Sequence, residues 1–314
     1  MLVTTAAVCA LLVWRVAGGV SFSQALAGAS PGALAAALAV VCVLLVMSAL
    51  RWMTILHAMG VRLGLPRALS VILSVWVFAL LTPSRAADLL RAVAIRDLLP
   101  VSAGSSSVVA EKLVDVQSLC VLGGLGALSV GLWEVAAASG AALLGLWGAA
   151  WALLVGRERL AGLPLLRRRP GLVDRLARAF VALRASPRHY LGLSALSLAS
   201  WCVNTGMLMI LLGAFGAEVG WGWVFALWPA SIVVGMLPLT VAGMGTRDAT
   251  FLSLLGLTSS QAIDPAPVLA ATLAYALVGT WFPAVLGAPF TFAAMRRWAQ
   301  DEPRPRGGKD DQSE

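Results

Sequence analysis

The stretch Leu237–Asp248 reads L-P-L-T-V-A-G-M-G-T-R-D and interrupts an apolar run that begins near Trp221 and resumes at Ala249. Pro238 removes a backbone donor, Gly243 and Gly245 permit tight turns, and Thr246 is a natural helix cap. Arg247 and Asp248 then set two opposite charges where hydropathy alone predicts lipid. Broken backbone at membrane depth survives only when it is buried in protein or lines a wet cavity, and in transporters such breaks often mark the binding site. A comparable interruption, T-P-S-R-A-A-D-L-L-R over Thr82–Arg91, lies in the first half of the chain. Whether these two breaks belong together decides the fold.

Composition settles the solvent. Hydrophobic residues make up 60% of the chain and charged residues 12%, with a mean hydropathy of +0.88, whereas soluble domains carry about 25% charged residues. The fold class expected is an all-α polytopic integral membrane protein. Its 314 residues leave room for about six to nine membrane segments at ~20 residues per crossing. Residues 1–295 read as one transmembrane domain with a basic loop at 157–188, and 296–314 as a charged, disordered cytoplasmic tail. The net charge of +8 does not point to nucleic acid, because the arginines cluster in loops beside hydrophobic spans. That is the pattern of anchoring against an anionic cytoplasmic leaflet. Cys9, Cys42, Cys120 and Cys202 each lie inside apolar runs and read as small packing residues. His57 and His189 lack metal-ligand spacing, so neither a metal nor a cofactor is expected.

Along the chain, Leu2–Trp14 is a marginal first span without the basic start of a signal peptide. Ala33–Leu50 is a clean span that ends at Arg51-Trp52, an expected interfacial anchor pair, and Arg51, Arg62 and Arg67 make the next segment basic and cytoplasmic. Ala68–Leu81 is short for a crossing, and Leu89–Leu99 alternates Arg91 and Arg96 with apolar residues in an amphipathic helical pattern. After the polar Ser102–Ser107 come spans at Val108–Leu132 and Val135–Val155. Arg157–Arg188 holds nine arginines against Glu158 and Asp174 and is the strongest topology signal. It reads as a positive-inside surface helix, or alternatively as a site for an anionic lipid or a partner. Tyr190–Leu212 and Pro267–Phe292 are the remaining clean spans.

With Arg157–Arg188 and the C-terminus placed inside, Trp221–Leu257 must start and finish on the outer side, and Ala68–Leu99 on the inner side. The expectation is about six full spans plus two oppositely oriented re-entrant helical hairpins, with about eight spans as the alternative. The hairpin tips fall near Pro83–Asp88 and Pro238–Asp248. An inverted pair of this kind surrounds a midplane site in established transporter designs.

Three charged groups are the candidate site. Arg85, Asp88 and Arg91 form i,i+3 pairs if helical, and equally fit a loop that caps a helix and anchors to headgroups. Glu111 and Asp115 share one helical face at i,i+4, with Lys112 in reach of Asp115. A charge at a helix centre costs ~2.5–3.5 kcal/mol on insertion scales, so such residues face a bundle interior or a wet cavity. Here a structural ion pair competes with direct substrate contact. In the third group, Arg247-Asp248, an Asp in a first turn is also explained by the helix dipole alone.

In this order and at these separations, P-S-R-A-A-D-L-L-R, E-K-L-V-D and L-P-L-T-V-A-G-M-G-T-R-D resemble the signature blocks of the lysylphosphatidylglycerol synthase transmembrane family, whose stand-alone members are called flippase-like. The resemblance covers nearly the whole chain. Pro83, Arg85, Asp88 and Arg91 match the first block, with Ser84 and Ala87 replacing its glycines. Glu111 and Asp115 match the second, with Lys112 in an arginine position that loses the bidentate fork. Pro238, Gly243, Gly245 and Arg247 match the third, from which Ala242 and Asp248 depart. The resemblance implies a multi-pass protein of a bacterial-type plasma (inner) membrane that moves or handles a lipid with a polar head, an anionic or aminoacylated phospholipid or a polyprenyl-phosphate-linked lipid. Through Glu314 there is no aminoacyl-transferase domain of the kind that makes lysyl lipid in bifunctional relatives, so lipid aminoacylation by this chain is not expected.

The leading expectation is a lipid flippase in which Arg85, Arg91 and Arg247 bind a phosphate while Glu111, Asp115 and Asp248 balance it or engage a cationic headgroup. Pro83, Pro238, Gly243 and Gly245 would form the gates. No GxxxxGK[ST] motif occurs, so the drive is an ion gradient or the lipid's own gradient. The alternatives are a membrane-embedded enzyme acting on a lipid phosphate, and an accessory subunit that docks a cytoplasmic lipid-modifying synthase on 157–188. Against the enzyme, no HxxxH, no nucleophile beside a base and no DxxD pair is present.

Overall fold

Prolines punctuate the fold. Proline is pre-set for the first turn of a helix, where its missing N–H costs nothing. In the computed structural model α1 (Pro31–Ala58), α2 (Leu65–Ala79) and α9 (Pro265–Ala276) carry proline in their first two positions, α4 (Val101–Ser129) follows Pro100, and α6 begins at Pro187. The structure describes residues 5–6, 10, 29–80, 82, 86–155, 187–237, 239–259 and 263–300. Every regular element among them is helical. The others are a 3-10 turn at Ala86–Leu89 leading into α3 (Leu90–Ala94), α5 (Trp133–Val155), α6 (Pro187–Ala214), α7 (Trp221–Gly235), α8 (Thr246–Thr258) and α10 (Phe282–Gln300).

The chain is an all-α polytopic membrane protein. Among the described residues α1, α6 and the continuous segment Pro265–Arg296 are long and apolar enough to cross a membrane. Large side chains such as Trp133, Leu144, Trp151 and Leu257 stay exposed, as lipid-facing residues must, while the interior holds a tier of buried polar and charged groups. Helix α1 runs antiparallel to α6: the Ser30 N–H donates to the Ala214 carbonyl at one end (3.3 Å), and the His57 and His189 rings lie 5.3 Å apart at the other.

This antiparallel pair fixes the two breaks on opposite faces. Helix α2 starts from the face where α1 ends and stops after 15 residues, too short to cross. The chain turns and returns through α3, and Arg67 in the first turn of α2 pairs with Asp97 just past α3 at 2.5 Å. The excursion therefore leaves and re-joins one face. Helix α7 starts from the other face, beside the end of α6, and is also 15 residues long. Its partner α8 doubles back along it, with Gly235 against Arg247 and the Trp228 ring edge-on to Phe251 at 5.2 Å. The segment α9–α10 then spans from the second hairpin's face to the first, packing along α2, where Thr291 donates to the Ser74 carbonyl (2.8 Å). A π-helical turn at Leu277–Trp281 joins α9 to α10. Pro283, which lacks the N–H that would bond four residues back, lies two residues past its end.

Lipid tails are as apolar as leucine, so these helices are held by close packing and hydrogen bonds rather than by transfer from water. Small residues provide the closeness. Gly126 of α4 leaves no room for a Cβ against the Phe225 backbone of α7, and a Cβ on Gly104 would fall 2.9 Å from that of Ala92, which seats α3 on α4.

The structure corrects four sequence-based boundaries. Helix α1 runs past Arg51-Trp52 to Ala58, so this pair is not an interfacial anchor: both residues are buried. Helix α4 starts at Val101 rather than Val108 and absorbs the polar stretch Ser102–Ser107, in which Ser105, Ser106 and Ser107 are buried and the last two bond back to preceding carbonyls. The amphipathic helix expected over Leu89–Leu99 is reduced to Leu90–Ala94, flanked by turns. Helix α10 continues to Gln300, into the stretch expected to be tail. Pro83, Arg85, Pro238, most of the 157–188 loop and the tail beyond Gln300 lie outside the described residues.

Candidate functional site

Because α4 begins at Val101, Glu111 lies ten residues into it, about 15 Å along the axis at 1.5 Å per residue. Glu111 and Asp115 thus sit deep in the bundle, 1% and 2% exposed. Such carboxylates demand cations, since an uncompensated buried charge costs several kcal/mol. Helix α1 supplies Arg51, whose Nη2 donates to Glu111 Oε1 (2.8 Å) and whose Nη1 pairs with Asp115 Oδ1 (2.9 Å). The first hairpin supplies Arg91, whose Nη1 donates to the other Glu111 oxygen at 2.9 Å. Arg91 Nη2 bonds Asp88 at 3.0 Å, one turn earlier in its own segment. Lys112 Nζ closes the ring on Asp88 at 2.9 Å, with Asp115 Oδ2 at 4.0 Å.

Three cations therefore face three carboxylates, and the cluster is formally neutral. Lys112 is its one accessible charge, with a side chain 35% exposed. Around the cluster, Asp115 Oδ1 also accepts from Ser197 Oγ (2.9 Å) and Trp201 Nε1 (3.0 Å) of α6. The Arg91 guanidinium lies 5.8 Å from the Trp52 ring centroid, and Trp52 Nε1 donates to Ser107 Oγ at 3.1 Å. The serine-rich start of α4 is thus part of the support of the site.

The second hairpin presents a separate charged pair. Ala242, Gly243 and Gly245 all have positive φ (51°, 73° and 85°), which turns the chain from α7 into α8. Gly243 is required twice, since a Cβ there would also stand 2.6 Å from the Gly235 carbonyl oxygen. At the start of α8, Asp248 is fully buried and accepts from the Gly245 N–H (2.8 Å). Its other oxygen takes Arg247 Nε (3.1 Å) and Nη2 (2.9 Å). The Arg247 guanidinium lies 4.6 Å from the Tyr275 ring centroid and 5.1 Å from that of Trp228. Asp248 acts as helix cap and arginine holder. Thr5, from the N-terminal segment, accepts the Val241 N–H at 2.8 Å and braces this tip.

Both charged groups open on one cavity of about 480 Å³, within the ordinary range for ligand pockets. Arg51, Asp88, Arg91, Glu111, Lys112 and Asp115 line one side, and Ser200, Asn204, Arg247 and Tyr275 another. Val41, Leu44, Leu45, Trp76, Met207, Ile232 and Met236 make an apolar remainder. Ala242 at the second tip, Gly279 within the π-turn and Pro283 just past it also line the cavity. Of the sequence candidates, Asp88, Arg91, Glu111, Lys112, Asp115 and Arg247 meet at this cavity, and Asp248 stands behind Arg247.

The residue that sequence reasoning missed is Arg51. Read with Trp52, Arg62 and Arg67 it falls at the membrane surface, yet the apolar run continues past it through Ile55 and Leu56, both buried. That continuation, together with two α4 carboxylates and only one local cation, was a signal for it. Ser197, Trp201, Asn204 and Tyr275 gave no comparable sign.

A bundle of membrane helices pierced from opposite faces by two hairpins, with a charge-neutral cluster buried between them, defines a polytopic membrane protein built around an internal amphiphilic cavity. The family model described as lysylphosphatidylglycerol synthase TM region matches residues 2–287, and the chain belongs to that family. No curated protein matches the chain.

Proposed function

We propose that the chain is a lipid translocator that takes a polar-headed phospholipid or a polyprenyl-phosphate-linked lipid through the cavity between its hairpins. The family places the protein in lipid modification or translocation at the membrane. The observation that carries the finer reading is the make-up of the cavity, charged and hydrogen-bonding on some walls and aliphatic on the rest. A flipped lipid needs that division, a wet path for the headgroup and an apolar one for its chains.

Electrostatics favours the hairpins as gates. Asp88 and Arg91 pair within the first hairpin at 3.0 Å, so the part of it that enters the cluster carries no net charge. The stationary helices keep Arg51, Lys112, Glu111 and Asp115, again two against two. The two sides can separate without either carrying a net buried charge. The second hairpin likewise carries its own pair, Arg247 and Asp248. An incoming phosphate exchanges places with Glu111 on Arg51 or Arg91, and a headgroup ammonium with Lys112 on Asp88. Arg85, next to the first tip in sequence, adds a cation to that route. The arginine bias of 157–188 supports placing that loop, and with it the C-terminus, on the cytoplasmic side.

The test is a headgroup-accessibility assay in proteoliposomes with labelled anionic, zwitterionic and aminoacylated lipids, using wild type and Glu111→Gln. Protein-dependent translocation that is lost in the variant is the expected result. If no lipid moves with folded wild-type protein, autonomous translocation is wrong.

A further inference from the structure

We infer that the α6–α9 wall of the cavity is a second polar subsite, built from Ser200, Asn204 and Arg247, that receives the phosphodiester oxygens of a lipid. The inference rests on the translocation reading for its lipid and on separate atoms for its place.

The cluster around Glu111 engages all three of its carboxylates, and its unpartnered buried donors are the inner Nε–H groups of Arg51 and Arg91. Across the cavity further donors are left over, with no free carboxylate beside them. Ser200 is 5% exposed, lines the cavity, and its Oγ has no hydrogen-bond partner among the described residues. A buried hydroxyl without a partner costs about 1–3 kcal/mol, which a native fold tolerates where a ligand satisfies it. Asn204, one turn further on the same face of α6, accepts the Tyr275 hydroxyl at Oδ1 (2.8 Å), and its amide nitrogen donates to no described residue. Arg247 spends Nε and Nη2 on Asp248, while Nη1 donates to no described residue. Tyr275 links the two, bonding Asn204 through its hydroxyl and stacking under Arg247 with its ring.

The charge of this wall selects an anion over a neutral acceptor. Asp248 cancels the formal charge of Arg247, but both sit in the first turn of α8, whose N-terminus contributes roughly half a positive charge. Three donors beside a mildly positive helix end suit the two non-bridging oxygens of a phosphodiester, whose single charge they accommodate without an added cation. Ser197 and Trp201, which bond Asp115, continue the same α6 face toward the Glu111 cluster. A headgroup therefore has hydrogen-bonding partners along α6 between the two charged stations.

Binding is measured on the full chain in detergent, with dihexanoyl phosphatidylmethanol as the probe, dihexanoylglycerol as the neutral control and inorganic phosphate as competitor. Ser200→Ala and Asn204→Ala each weaken phosphatidylmethanol binding about ten-fold, the worth of one hydrogen bond to a charged group. Ser200→Ala does so without lowering the unfolding temperature, because it deletes a hydroxyl that has no partner. A merely structural serine would show the opposite pattern. Unchanged affinity in Ser200→Ala overturns the subsite, and so does equal binding of dihexanoylglycerol. If inorganic phosphate binds as tightly as phosphatidylmethanol and with the same sensitivity to the variants, the lipid assignment falls and a free-phosphate site replaces it. Because the readout is binding in detergent, a failure of vesicle translocation leaves it intact.

Discussion

Arg51 and Glu111, sixty residues apart, meet at 2.8 Å with side chains 8% and 1% exposed, and Arg51 reaches Asp115 from the same guanidinium. One α1 side chain thus holds two α4 carboxylates. Removing one partner of a buried pair strands the other charge, which costs about 3–5 kcal/mol. Arg51→Gln is expected to destabilise the protein by that order, measured by chemical unfolding in detergent. Adding Glu111→Gln recovers part of the loss, since Arg51→Gln leaves the cluster with one negative charge in excess and the second change makes it neutral again. A double variant whose loss equals the sum of the two single losses would show that the two residues are not energetically coupled.

Ala242 is the one residue other than glycine with a positive φ (51°) among the described residues, directly before Gly243. An alanine there carries a cost of about 1–2 kcal/mol for the left-handed backbone, partly offset because glycine has more freedom when unfolded. Ala242→Gly is expected to raise stability by about 0.5–1 kcal/mol. Gly243→Ala, which meets both a positive φ and the Gly235 carbonyl, is expected to be destabilising and to reduce the yield of folded protein. Thermal unfolding of the two variants side by side checks both signs.

The hairpins were legible in the sequence because their causes are local. Pro83, Pro238, Gly243 and Gly245 break apolar runs that are too short to cross, and charge bias fixes which face each run leaves. The pairing of Glu111 with Asp115 was legible for the same reason, at i,i+4. The cations that neutralise them were not. Arg51 sits at the end of a run whose continuation, Trp52 through Leu56, mixes apolar residues with Thr54, and its role depends on how α1 lies against α4. The start of α4 was misplaced because Ser102–Ser107 reads as polar loop, whereas in a packed interior serine bonds back to the preceding turn and Gly104 admits Ala92. The donors on α6 were hidden by the same ambiguity: Ser197, Ser200 and Asn204 are ordinary residues until the fold shows what they face.

The Arg67–Asp97 pair clasps the base of the first hairpin, outside the deep cluster, with side chains 47% and 54% exposed. Its hydrogen bond from Arg67 holds the Asp97 carboxyl below the ordinary aspartate range. A depressed folded value stabilises the native state above the unfolded value of about 3.9 and loses that contribution as pH falls through the lower folded value. Exposure limits it to under about 1 kcal/mol. Asp97→Asn is therefore expected to lower the unfolding temperature slightly at neutral pH. The gap from wild type should close below about pH 3.9. A gap that persists or widens in acid would assign the clasp no electrostatic share.

Lys112 is the most exposed of the three cluster cations, and it joins α4 to the first hairpin through Asp88 at 2.9 Å. Arg91 makes the other tie, to Glu111, and would remain in a Lys112→Met variant. With a side chain 35% exposed, the lysine bridge contributes less than a fully buried pair, about 1 kcal/mol. Its loss should loosen the hairpin while the helices stay packed. Hydrogen exchange followed by mass spectrometry is expected to show faster exchange across Ala86–Ala94, with α1 and α4 unchanged. The size follows from the energy: about 1 kcal/mol raises the open population, and hence the exchange rate of these amides, roughly five-fold. Uniformly faster exchange would mean that Lys112 supports the bundle as a whole, and unchanged exchange would mean that Arg91 and the seat of Ala92 on Gly104 hold the hairpin unaided.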